Sequence, residues 1–124
     1  MEPKQPPATA MKLHIKRAYD APEKADGTRI LVDRLWPRGL GRDKAAIDLW
    51  LKDVAPSTEL RQWYAHEPER WPEFRRRYFA ELDRHPEVVA ELRAALGKGS
   101  ATLLYAAKDT EHSNAQALLE YLQP

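Results

Sequence analysis

The sequence predicts a single compact α/β domain with a small, mostly parallel sheet flanked by helices. Three observations lead there. Apolar runs of strand character alternate along the chain with segments whose apolar residues recur at helical spacing. The run Ile30-Leu31-Val32 lacks polar alternation, the pattern of a strand covered on both faces, as parallel strands are. At 124 residues the chain suits one domain, able to bury roughly two-thirds of its unfolded surface.

The elements come in this order. The first segment, MEPKQPPATA, is polar and proline-rich and offers too little apolar surface to offset its ordering entropy. Residues 1–10 are therefore expected to form a disordered extension, and 11–124 the domain. Leu13, Ile15 and Arg17 alternate with His14, Lys16 and Ala18, which suggests a strand. Pro22 and the pair Asp26-Gly27 mark a turn, and 29–34 reads as a second strand. The segment GLGRDK reads as a loop. Residues 45–55 fit two patterns. Ile47, Trp50, Leu51 and Val54 would make a helical stripe, whereas the interleaved polar residues and the closing Pro56 favour a short strand over 49–54.

Ser57 or Thr58 can cap a helix reaching Tyr64, with Glu59 in its favourable first turn. Trp71, Phe74, Tyr78 and Leu82 share one face of the next helix, which leaves Arg75 and Arg76 outside. His85-Pro86-Glu87 starts another, striped by Val89, Leu92 and Leu96 and ended by Gly97 and Gly99. The run ATLLYAA, 101–107, is the clearest strand. The polar loop KDTEHSN comes after it, and then a final helix with Ala115, Leu118, Leu119 and Leu122 on one face.

Composition narrows the functional classes. A net charge of +1 provides no strong field for nucleic acid or an anionic membrane surface. No apolar run approaches the ~20 residues of a membrane span. The lack of cysteine removes disulfides and thiolate nucleophiles together. His14, His66, His85 and His112 form no metal-ligand pattern, and no glycine-rich phosphate loop is present. The expectations are therefore no metal, no cofactor, no nucleic acid and no membrane, with a cytoplasmic location because the chain begins without an export signal.

Two strands end alike: ILV runs into DRLWPRG, and TLLYAA into KDTEHSN. In open α/β sheets ligands bind outside the carboxyl ends of the strands. If these two are parallel neighbours, Asp33, Arg34, Trp36 and Arg38 face Lys108, Asp109, His112 and Asn114 across one crevice. Arginine presents a fork of donors matched to phosphate or carboxylate. The start of the final helix adds free amides and the positive end of its dipole.

The expected ligand is thus a small anion held by Arg34, Arg38, Lys108, Asp109 and Asn114, with Trp36 as an apolar wall and Lys52 at the rim. Asp33 or His112 is the candidate general base should the site be catalytic. Ordinary structural roles fit some of these residues too. Asp33 and Arg34 can close the sheet end as ion pairs, Trp36 can be core, and His112 and Asn114 can be caps. The run Arg75-Arg76-Arg77 reads as a solvated helix face.

The segments IKRAYD, DGTRILVDRLWPRGL, DLWLKDVAPSTELRQW, FRRRYFAEL and TLLYAAKDTEHSNAQALLEYL together resemble the YeaO-like family of uncharacterised bacterial proteins, domain of unknown function 488. The resemblance covers nearly everything after Met11. It implies a compact α/β domain and implies no reaction. Wider relatives carry a motif like CAE…CHR after the last strand. Here Tyr105 stands where the first cysteine would be, and Ser113-Asn114 replace the later cysteine and histidine, so thiol or metal chemistry of that kind is not implied. The alternative to an anion site is a non-catalytic module whose Trp- and Arg-rich loop anchors a protein partner.

Overall fold

The computed structural model describes residues 13–97 and 99–123. The extension expected over residues 1–10 lies outside them. Four strands form one wholly parallel sheet in the order β1-β4-β2-β3, where β1 is Leu13–Arg17, β2 Thr28–Leu31, β3 Leu49–Trp50 and β4 Ala101–Tyr105. The last strand in sequence thus lies between the first two, with Leu103 opposite both Ile15 and Ile30. Among the described residues there are five α-helices: α1 Arg42–Ala45, α2 Thr58–Tyr64, α3 Trp71–Asp83, α4 Pro86–Leu96 and α5 Asn114–Leu122.

The unalternating run is buried as its pattern requires, with Ile30, Leu31 and Val32 each 0% exposed. Its side chains divide between two layers. Ile30 and Val32 join Leu103, Tyr105 and the helices in the main core. Leu31 joins Ala18 and Leu104 in a smaller cluster covered by Trp36, Leu40, Ile47 and Trp50.

The helix boundaries are set by their caps. The Ser57 hydroxyl accepts from the Leu60 N–H at the start of α2, and the Ser113 hydroxyl accepts from the Gln116 N–H at the start of α5. Proline at the first position opens α4. In α3, Phe74, Tyr78 and Leu82 are buried and Arg76 is exposed; Arg75 is half-buried and pairs with Glu120 at 2.8 Å.

Three local expectations are corrected. The strand expected over 49–54 is only Leu49–Trp50, because Lys52–Val54 turns into a 3-10 helix that buries Val54. The strand expected over 29–34 ends at Leu31. One more ladder bond forms beyond it, from the Val32 N–H to the Leu104 carbonyl at 3.1 Å, before the chain turns at Asp33. The GLGRDK segment, expected as loop, begins α1. That helix end is held by a distant side chain: Arg29 donates to the Ala45 carbonyl at 2.8 Å and the Ala46 carbonyl at 3.0 Å.

Arg29 is 4% exposed and pairs with Asp26, 7% exposed, at 2.6 Å; Lys16 reaches the same carboxylate at 3.1 Å. A buried ion pair persists only when its lone pairs and protons are satisfied, and here they are. Next to it, Gly27 adopts φ +65°, and a Cβ at that position would come within 2.1 Å of the Ser100 carbonyl oxygen. Only glycine lets the β1–β2 connection pass so close to β4.

Candidate functional site

Because β2 and β4 are parallel neighbours, their carboxyl ends open on the same edge of the sheet. A cavity of about 490 Å³ lies there, within the size range of small-molecule sites. Six of the residues expected to form a crevice line it: Asp33, Arg34, Trp36, Arg38, His112 and Asn114. Lys108, Asp109 and Lys52 are not among its lining residues. Lys108 is exposed, and Lys52 lies over the Trp50 ring at 4.7 Å.

Asp33 and Asn114 stitch the strand ends together. The Ala106 N–H donates to Asp33 Oδ2 at 2.9 Å, and Asn114 Nδ2 donates to the Val32 carbonyl at 3.1 Å. Burial raises the Asp33 pKa above the ordinary carboxyl value, against the opposing pull of the Ala106 N–H, the Asn114 amide and the Arg61 charge. The ion pair between Asp33 and Arg34 that a purely structural role would use is not formed. Arg34 instead donates to the Ala55 carbonyl at 3.3 Å and comes within 3.9 Å of Asp53.

Trp36 is both wall and structure. Its indole N–H donates to the Leu40 carbonyl at 2.7 Å, its ring meets Trp50 edge-on at 5.6 Å, and Arg42 lies over its face at 4.5 Å. The Arg38 side chain is exposed, while its backbone carbonyl accepts from the Tyr19 hydroxyl at 2.8 Å. Arg17 donates to the Ala106 and Ala107 carbonyls at 2.9 and 3.0 Å, fixing the chain as it leaves β4.

On the helical side, His112 Nδ1 meets Asp109 Oδ2 at 2.9 Å, and Asp109 Oδ1 accepts from the Glu111 and His112 N–H groups. The bond to His112 leads in holding the Asp109 carboxyl below its usual value; burial opposes it, and these amides reinforce it. The Tyr64 hydroxyl donates to the His112 carbonyl at 3.1 Å. Burial, reinforced by the Asp109 charge, pushes the Tyr64 phenol up to about 12, so it remains a donor at neutral pH.

Arg61, Tyr64 and Tyr19, which the sequence does not single out as site residues, also line the cavity, as does His66, which fits no sequence motif. Arg61 matters most. It belongs to α2, its charge acts on Asp33, and its Nε has no hydrogen-bond partner among the described residues. A signal was present: Arg61 lies three positions before Tyr64, on the flank of the buried stripe. Among the described residues no group of three or more His, Cys, Asp or Glu is placed to hold a metal ion, and no helix is long and apolar enough to cross a membrane.

Fold and site together define a class: a parallel-sheet α/β domain in which the segment after β2 and the helix α2 bring arginines and a half-buried carboxyl to one cavity. Comparison with known proteins gives the particular family. The model of the inactive DUF488-N3 subclade matches residues 12–124, and the chain belongs to this YeaO-like DUF488 family. The chain is 43% identical over 113 residues to the uncharacterised protein YeaO of Escherichia coli strain K12, a match covering 91% of this chain and 98% of YeaO. It is 41% identical over 111 residues to uncharacterised proteins of Mycobacterium tuberculosis and Mycobacterium bovis, covering 90% of this chain and 93% of each relative. No solved structure matches the chain significantly.

Proposed function

We propose that the cavity at the carboxyl ends of β2 and β4 binds a small phosphate- or carboxylate-bearing ligand without transforming it. The observation that carries this reading is Arg61: a half-buried guanidinium on the cavity wall whose Nε, like that of Arg34, has no hydrogen-bond partner among the described residues. A buried donor without a partner is costly, and an anion in the cavity would satisfy it. Arg34 and Arg38 on the same lining add positive charge, and the amino end of α5 adds the favourable end of its dipole. The subclade whose model matches is described as inactive, which supports binding over turnover. So does the commitment of Asp33 and Asn114 to bonds that hold the strand ends.

Calorimetric titration with inorganic phosphate tests the proposal. Binding at low ionic strength that weakens severalfold in high salt is expected. Arg61→Ala and Arg38→Ala should lose affinity while staying folded. Absence of phosphate binding to the intact protein at low ionic strength refutes the reading.

A second reading, general acid–base catalysis, is favoured by one observation. Asp109 occupies His112 Nδ1, which leaves Nε2 as the ring nitrogen available for proton transfer. That reading predicts ester or phosphoester turnover lost in His112→Ala.

A further inference from the structure

Among the described residues only three large apolar side chains are exposed: Leu35 at 67%, Tyr19 at 40% and Leu49. Two of the three, Leu35 and Tyr19, line the cavity that holds Arg34, Arg38 and Arg61. Exposed apolar surface gathered at the mouth of a pocket marks something that covers it. The remaining apolar lining points the same way. Pro37, Pro56, Tyr64 and Phe74 line the cavity, as do the small side chains of Ala106 and Ala107.

We infer that the ligand is an amphipathic anion: an anionic head at Arg61 joined to a flat aromatic body that lies against Leu35 and Tyr19. The inference rests on the anion-binding reading and adds an apolar subsite to it. The two parts have different owners in the fold. The head site is built on α2, which carries Arg61. The body site is built on the segments just after β1 and β2, which carry Tyr19 and Leu35. Tyr19 is fixed for that purpose, its hydroxyl bonded to the Arg38 carbonyl and its ring beneath the Arg17 guanidinium at 5.0 Å. It therefore offers a preset surface, whose ordering costs a ligand little. A cavity of about 490 Å³ accommodates one such molecule.

Four probes of known structure separate the two sites: inorganic phosphate, phenyl phosphate, ethyl phosphate and phenol. Phenyl phosphate should bind at least tenfold tighter than inorganic phosphate and clearly tighter than ethyl phosphate. A tenfold gain, about 1.4 kcal/mol, requires roughly 55 Å² of apolar surface to be covered at the usual coefficient. That is well under the ~150–250 Å² an aromatic side chain buries.

Leu35→Ser, at an exposed position that the fold does not use, should remove most of the phenyl advantage and leave inorganic phosphate affinity unchanged. Arg61→Ala should weaken all three phosphates together. Equal affinities for phenyl and inorganic phosphate overturn the apolar subsite while the anion site stands. Binding of phenol with no binding of any of the three phosphates overturns the anion site instead. Failure of all four to bind at low ionic strength removes both. If sedimentation shows a dimer that Leu35→Ser converts to monomer, a second copy covers this surface, and the inference is wrong.

Discussion

Tyr78 lies in the middle of α3 with no exposed surface, and its hydroxyl donates to the Val54 carbonyl at 2.5 Å. Burial raises its phenol pKa, with the Asp33 and Glu81 charges adding to the shift, so the group is a neutral donor throughout the usual pH range. Replacing Tyr78 with Phe keeps the ring against Phe74 and deletes only the donor, leaving a buried carbonyl without its bond. An orphaned buried acceptor costs about 1–3 kcal/mol. Tyr78→Ala additionally empties the space of the ring, for a total in the range of about 3–5 kcal/mol known for such truncations.

Against a typical domain stability of about 5–15 kcal/mol, the first variant should fold with a lowered midpoint and the second should be marginal. Urea titration monitored by circular dichroism measures both. The midpoint should fall with an unchanged slope, the sign of altered stability with an intact unfolded state. Arg76→Ala on the exposed face of the same helix is the control, expected within about 0.5 kcal/mol of the parent. If Tyr78→Phe costs no more than Arg76→Ala, the bond to Val54 does not anchor α3, and the reasoning fails.

Three other expectations concern charge and backbone. Burial raises the folded-state pKa of Asp33 above its unfolded value, so its ionisation destabilises the fold as pH rises through that range. Asp33→Asn, which keeps an acceptor for the Ala106 N–H, should therefore match or exceed the parent in stability at neutral pH. The gain should vanish below the ordinary carboxyl range; a clear loss at pH 7 would show that the ionised carboxylate is worth more to the fold than its burial costs, and would overturn this sign. For Asp26 the sign reverses. Burial alone would raise its pKa, but the Glu23 N–H and the Lys16 and Arg29 donors together hold it below the usual value. Its contribution is present above the unfolded carboxyl pKa and lost as pH falls through the folded one. Asp26→Ala should cost about 3–5 kcal/mol by stranding buried Arg29; thermal melts across pH would expose a smaller, pH-independent loss if this is wrong. Gly27→Ala should destabilise by well over 1 kcal/mol, because the added carbon meets the Ser100 carbonyl; an unchanged melting temperature would contradict that close approach.

The fold was legible wherever a local pattern and its burial coincide. ATLLYAA reads as a strand because all of Ala101–Tyr105 is buried, and the α3 stripe shows its period in the sequence itself. The failures lie where a distant group decides. The end of α1 is held by the guanidinium of Arg29, 16 positions before Ala45, which no reading of GLGRDK alone can supply. β3 pairs Leu49 with Ile30 and Trp50 with Leu31 before the chain turns into a 3-10 helix at Lys52, which leaves a strand too short for periodicity to register. The site divides in the same way. The β2 end reveals its own Asp33, Arg34, Trp36 and Arg38, since a strand delivers the residues just beyond it to the sheet edge. Arg61 reaches the cavity from α2, an element remote in sequence from β2, through packing that one helix cannot declare. Lys108 looked equivalent to Arg38 by its place after a strand, yet the chain turns outward there, and Asp109 ties back to His112 instead.

The place of β4 between β1 and β2 has a consequence for how the protein is made. Until Tyr105 has left the ribosome, β1 and β2 share no partner, and β2 has only the two residues of β3 to pair with. At ~5–20 residues per second the nascent chain waits roughly 4–18 seconds between completing β1 and completing β4. During that interval the strands Leu13–Arg17 and Thr28–Leu31, with the apolar side chains of Leu13, Ile15, Ile30 and Leu31 not yet covered, present open edges to the cell. A chain cut short before Ala101 can form neither of the two ladders that β4 makes and keeps only the two-residue pairing of β2 with β3, so premature termination should yield an insoluble fragment, where the whole chain gives a folded protein.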